Sequence, residues 1–253
     1  MTDDLIVPEW NAPPSVRALI TTRRGGVSCG VYDGLNLGDH VGDDPAHVAQ
    51  NRAALRAVLP AEPAWLKQVH GVAVADADAL SGPMEADASV ARRPGAVCAV
   101  LTADCLPLLL CDDAGTVVAA AHAGWRGLAA GVIEHTVRAM GVAPASLMAY
   151  LGPAIGPAAF EVGDEVRQTF VAADPAAQQA FTRHSALSTQ HSPLGTEKWL
   201  ADIYLLATQQ LNRLGVERIH GGGYCTHNEP QRFYSYRRDG ATGRMASLIW
   251  LDG

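Results

Sequence analysis

At 253 residues, with 48% hydrophobic and 18% charged residues, the chain has the balance of a soluble, enzyme-like protein with a sizeable core. Its net charge of −7, with no basic cluster beyond Arg23-Arg24, Arg92-Arg93 and Arg237-Arg238, argues against a nucleic-acid partner. No apolar run approaches the roughly 20 residues needed to cross a bilayer, acids stand where a secretory signal carries positive charge, and the five cysteines lack CxxC spacing; a cytoplasmic protein with reduced thiols, no membrane partner and a single domain over residues 1–253 is expected.

Residues 16–22 alternate as a strand and run into an Arg23-Arg24-Gly25-Gly26 turn. A short extended piece follows at 35–38, in which Asn36 is a turn residue or a polar contact in a pocket. Asp43-Asp44-Pro45 starts a helix, with a carboxylate cap and proline at the first helical position. Val48, Arg52, Leu55 and Leu59 share one face of it, so Arg52 sits in an apolar stripe. It either snorkels along its stem or aims its guanidinium into a site. Residues 65–71 read as a strand that ends or bulges at Gly71, with Leu66, Gln68 and His70 facing one way. The segment 76–87 reads as a polar loop, and its Asp87 as an acid backing the site from behind or, the favoured reading, a turn residue.

Residues 96–140 concentrate the chemistry, placing a thiol, an imidazole and a guanidinium in one strand, turn, strand and helix unit. Two apolar runs flank an Asp-Asp-Ala-Gly turn signal, the pattern of a hairpin between buried strands. With Asp113-Ala114 as a two-residue loop, Asp112 pairs with Gly115 and Cys105 falls opposite His122. Opposed residues of an antiparallel pair lie roughly 4.5–5.5 Å apart on one face, close enough to share a metal or a proton. Pro107 removes a ladder donor, so the strand is interrupted, bulged or at an edge there.

Residues 146–151 form a strand leading into Gly152-Pro153-Ala154-Ile155-Gly156-Pro157, a stiff loop able to aim N–H groups at an anion. A helix over 163–172, an irregular stretch over 174–193 with His184 and His191 at the surface, and an amphipathic helix over 199–214 stopped by Gly215 come next. A strand at 216–220, a flexible turn at 221–227 and a terminal hairpin of 233–236 with 244–251 complete the chain.

The motifs Lys67-Gln68-Val69-His70-Gly71, Ala103-Asp104-Cys105-Leu106-Pro107 and Ala121-His122-Ala123-Gly124-Trp125-Arg126-Gly127 resemble those of the YfiH, or laccase-domain, family. Residues 21–28, Asn36-Leu37-Gly38, Asn51-Arg52, 151–157 and 233–240 fit the same pattern in the same order, so the resemblance spans nearly the whole chain. It implies an α+β fold, a four-layer α/β/β/α sandwich with mixed sheets similar to the cytotoxic-necrotising-factor-like hydrolases. It also implies that His70, Cys105 and His122 hold one Zn2+ per chain and carry the catalysis. Family members are described as purine nucleoside phosphorylases, acting on methylthioadenosine too and deaminating adenosine; older and parallel labels are polyphenol oxidase and peptidoglycan-precursor editing.

Two histidines and a cysteine leave a fourth tetrahedral position open, as a catalytic zinc site requires. The expected partners are purine nucleosides and phosphate, with Asn36, Arg52, Gln68, Arg126 and Gly152 as the substrate-binding set. No histidine falls in a His-x-His pair, which makes copper unlikely. A metal-free Cys105–His122 thiol amidase and a non-enzymatic binding module are the remaining alternatives.

Overall fold

The structure is a computed structural model that describes residues 4–80, 82–183 and 198–253; His184 and His191 lie outside these. Two mixed sheets form its centre. One is four-stranded, in the order Val16–Ile20, Met245–Leu251, Val97–Thr102, Pro63–Ala64. The other is six-stranded, in the order Arg218–Gly221, Leu147–Leu151, Leu106–Asp112, Val118–Ala123, Ala88–Ala91, Val74–Asp76.

Because side chains alternate along a strand, each strand serves two layers. Cys98 and Val100 join Leu109, Cys111, Val118, Ala120 and Ile249 between the sheets. Val97, Ala99 and Leu101 point the other way, to a core shared with Leu55 of the helix Pro45–Arg56. On the far side, Leu106, Leu108, Leu110, Ala119 and Ala121 meet the helices Val132–Met140, Asp164–Ala173 and Ile203–Leu214. The result is the expected order of helix, sheet, sheet and helix.

Several local expectations give way to tertiary contacts. The apolar run before the hairpin is two strands in different sheets, joined by Ala103-Asp104-Cys105, where Asp104 takes φ 90°. Cys105 thereby sits at the crossover, just ahead of its strand. In the hairpin, His122 opposes Pro107 instead of Cys105. The loop is longer than two residues because the Asp112 carboxylate accepts from Thr116 N, Thr116 Oγ1 and Val117 N. A slip of two residues preserves the facing side, so Cys105 and His122 still converge. Pro107 is accommodated at the end of the ladder to Leu147–Leu151, which begins with the pair Leu108 and Leu151.

Gly131, at φ 95°, splits the following helix into Trp125–Ala130 and Val132–Met140. Trp199 belongs to the strand Lys198–Ala201, and the helix after it begins at Ile203 with Asp202 as its cap. The terminal hairpin is replaced: Ser235 caps a short helix, Tyr236–Asp239, while Met245–Leu251 pairs with Val16–Ile20 and Val97–Thr102. The strand expected at 65–71 shrinks to Leu66–Lys67, which frees Gln68, Val69 and His70 from any ladder.

Candidate active site

The ends of three connections meet where the two sheets part. His122 enters from the strand Val118–Ala123 and is 3% exposed. Its Nδ1 lies 2.8 Å from Asp87 Oδ1, which leaves Nε2 as the nitrogen free for other chemistry. His70 reaches in from the segment after Leu66–Lys67, and Cys105 from the crossover between the sheets. Cys105 Sγ stands 3.7 Å from His70 Nε2, and the ligand atoms of His70, Cys105 and His122 all lie within 4.8 Å of one another.

Asp87 ties this group together and is fully buried. Oδ1 accepts from His70 N at 2.9 Å and Oδ2 from Gly71 N at 2.6 Å and Val69 N at 3.2 Å. Those three amides belong to a turn in which His70 adopts φ 60°, a left-handed conformation unusual for a residue other than glycine. The buried carboxylate holds that strained turn in place with both oxygens and orients His122 through Oδ1. Burial alone would raise its pKa, but the hydrogen bonds from His122, Gly71 and Val69 hold it below the usual carboxylate range. Asp87 is therefore the acid that supports the site, the less favoured of the two readings its loop allowed, and not a plain turn residue.

The electrostatics of the metal-free group follow from the same contacts. Burial would push the Cys105 thiol up, yet the charge and hydrogen bond of His122, with those of His70, bring it down to about 6. Burial would lower His122, but Cys105 and Asp87 raise it to about 9. These protons belong to the pair rather than to either residue, and its stable form near neutrality is thiolate and imidazolium.

Above the group opens a cleft of about 380 Å³. Trp125, Ile155, Phe160 and Ile203 supply its apolar wall. Arg126, Arg237 and Arg244 supply its cations, with His40, Gln68 and Tyr236 as further polar groups. Gln68 spends its amide on Leu101, donating to the carbonyl at 2.8 Å and accepting from the N–H at 2.7 Å, which docks the His70 segment on the strand Val97–Thr102. Arg126 stacks over Trp125 at 4.7 Å.

Asn36, Arg52 and Gly152 do not line this cleft. Asn36 is buried, bonded to Asp43, Gly38 and the backbone of Arg244. Arg52 donates to Leu37 O at 3.0 Å, pairs with Asp39 at 3.3 Å and covers the Trp65 ring at 4.4 Å. Gly152 lets backbone and proline pack closely: a Cβ there would come 2.8 Å from Pro107 Cγ. Arg244 is the functional candidate that local sequence reading missed, and Asp87 the one for which it favoured the wrong alternative. An acid in a Gly/Pro-containing loop and an arginine ahead of a strand carry no local signal of a site.

The family described as multi-copper polyphenol oxidoreductase laccase matches residues 17–252. The chain belongs to this laccase-domain family. It is 54% identical over 253 residues to the purine nucleoside phosphorylase YfiH of Escherichia coli K12, covering 98% of each chain. It is 46% identical over 249 residues to a purine nucleoside phosphorylase of Haemophilus influenzae, covering 98% of this chain and 99% of that one. Among solved structures, Neisseria meningitidis protein NMB0706 superposes with a TM-score of 0.90 at 52% identity, covering 99% of this chain and all of the other. YlmD of Geobacillus stearothermophilus gives a TM-score of 0.79 at 30% identity, covering 95% and 93%. The laccase-domain chain described here therefore shares both sequence and fold with YfiH proteins along nearly its full length.

Proposed function

We propose that this chain is a zinc-dependent purine nucleoside phosphorylase, acting on inosine, guanosine, adenosine and methylthioadenosine, with adenosine deamination as a side activity of the same cleft. We take residues 1–253 as one catalytic domain working in the cytoplasm. The observation that carries the reading is the convergence of His70, Cys105 and His122 at the base of a cleft with an apolar wall and three arginines.

The donor set fits the ion. Two imidazoles and a thiolate match a tetrahedral zinc centre that keeps one position open, and the Asp87 contact fixes which nitrogen of His122 is offered. When bound, such an ion supplies Lewis-acid polarisation or an activated water. A multi-copper centre needs several clusters, and among the described residues one group of this kind is present.

The protein's own residues bind and orient. Trp125 and Phe160 offer aromatic faces for a purine, while the arginines offer charge for phosphate. In phosphorolysis a phosphate oxygen bonds to C1′ of the ribose as the C1′–N9 bond breaks, its electron pair leaving on the purine, which takes up a proton. Inosine incubated with metal-replete protein, with and without phosphate and followed by phosphorus NMR, tests this. Ribose 1-phosphate that appears only with phosphate is the expected product; equal base release with free ribose in both tubes rejects phosphorolysis.

One observation favours a second reading. The Cys105 thiolate, His122 imidazolium and Asp87 carboxylate would serve as nucleophile, general acid toward the leaving amine and orienting group of a thiol hydrolase. Under that reading the substrate is an amide of a muramyl-peptide precursor, and activity survives complete removal of metal.

A further inference from the structure

Of the three arginines that line the cleft, Arg244 makes the most side-chain hydrogen bonds to the surrounding backbone. Arg244 lines the cleft, and its backbone, its stem and one nitrogen of its guanidinium are all engaged. Its backbone N–H donates to Asn36 Oδ1 at 2.9 Å and its carbonyl accepts from Leu37 N at 3.2 Å. Its stem lies so close to Gly38 that a Cβ there would come 2.8 Å from Arg244 Cγ. Nη1 donates to the carbonyls of Thr242 and Gly243 at 2.9 and 3.0 Å.

Nε and Nη2 make no hydrogen bond to the described residues, and no described carboxylate pairs with this guanidinium. The Cys105 and Asp104 side chains act on it only through space, and the Asp104 oxygens are taken by Thr226 Oγ1 and Arg237 N. Burial already disfavours the charge on this side chain. A partly buried guanidinium without a carboxylate is costly, and the cost is offset when a ligand brings the anion. Arg126, by contrast, is exposed and lies over Trp125, and Arg237 gives Nη1 to Glu161 O and covers Phe160.

We infer that Arg244 is the anchor for the phosphate co-substrate, its Nε and Nη2 edge gripping two oxyanion oxygens beside Cys105. The fork of two parallel N–H donors matches a phosphate edge, which an ammonium does not. This assignment rests on the phosphorolysis reading and deepens it. It also explains Asn36 and Gly38, which act on substrate only by holding Arg244.

The test pairs kinetics with a binding measurement that needs no turnover. In the full-length, metal-replete protein, Arg244→Gln is expected to raise KM for phosphate at least tenfold while KM for inosine moves less than about twofold, a loss typical of one charged hydrogen-bonding pair. Arg244→Lys recovers part of the effect and serves as the second variant should the glutamine form fold poorly, circular dichroism being the control. Calorimetric titration with inorganic phosphate alone should show binding to the parent protein and at least tenfold weaker binding to Arg244→Gln. Equal phosphate binding in parent and variant, or a rise in both KM values alike, overturns the assignment. If the parent binds phosphate through Arg244 yet inosine is not cleaved, the anion site stands and the phosphorylase reading falls.

Discussion

The Asp87 carboxylate bridges two elements that have no ladder between them: it lies 2.8 Å from His122 Nδ1 and receives the backbone amides of Val69, His70 and Gly71. Both histidines of the site therefore depend on one buried acid that does not line the cleft.

Asp87→Asn should separate this anchoring from simple packing. An amide has one acceptor oxygen, so its NH2 must face either the Val69 and Gly71 amides or the His122 and His70 donors. Each orphaned buried donor costs about 1–3 kcal/mol. Metal affinity should fall by about 10–100-fold, as for other second-layer partners of metal-binding histidines. Competitive chelator titration and thermal melts read the two effects. Unchanged metal affinity would remove Asp87 from the site.

Metal content should depend on all three donors together. The parent protein is expected to carry one metal ion per chain, and His70→Ala, Cys105→Ala and His122→Ala should each lose most of it, since their ligand atoms form a single group within 4.8 Å. Elemental analysis after gel filtration identifies the ion as well as its amount. Full retention in the His70 variant would reduce the centre to two ligands.

Alkylation of metal-stripped protein reports the polarity of the Cys105–His122 pair. The sign follows from the direction of the shift: a thiol brought from 9.0 down to about 6 is mostly thiolate above pH 6 and loses that form as pH falls below it. Its reaction with iodoacetamide should be nearly level from about pH 7 to 9 and slow below about pH 6. The exposed Cys29 provides an internal comparison by peptide mass spectrometry. A Cys105 profile that climbs through pH 8–9 would show an ordinary thiol and sink the ion-pair description.

Arg52→Met should act on stability rather than on substrate. The side chain bonds Leu37 O, pairs with Asp39 and stacks on Trp65, none of which faces the cleft. Methionine keeps much of the stem packing but loses the charge, for an expected cost of about 1–2 kcal/mol. In a chain of this size that is a drop in Tm of about 2–8 °C. A large rise in KM at constant Tm would restore Arg52 to the binding set.

What could be read from the chain alone divides along the reach of the interactions. The four layers were an expectation from the resemblance to a known family, and the helix at Asp44-Pro45 followed from a cap and a proline acting within one turn. His70, Cys105 and His122 stood out by residue type and by resemblance to a known family. The register of the hairpin did not, since it is set by the Asp112 carboxylate gathering Thr116 and Val117 into a longer loop. Arg244 was hidden, and Asp87 left between two readings, for a related reason. Asp87 meets its histidine 35 positions away, and Arg244 is locked by Asn36 from 208 positions away.

Gly124→Ala offers the sharpest steric test of the site. At Gly124 the backbone has φ −62° and ψ 156°, which alanine adopts without strain, so the substitution acts through its methyl group alone. A Cβ there would lie 2.8 Å from His70 Cδ2 and 2.9 Å from Cys105 Sγ, closer than real contacts allow. Neither neighbour yields freely: His70 is set by the Asp87 clamp on its own backbone, and Cys105 by the crossover at Asp104. The methyl must therefore drive imidazole and sulfur apart and open the ligand group. Metal content and activity should fall together by at least about tenfold, with stability lowered by no more than about 1–3 kcal/mol, the range for overpacking. A crystal structure of the variant that keeps Cys105 Sγ 3.7 Å from His70 Nε2, with full metal content, would show that the site has slack this geometry denies.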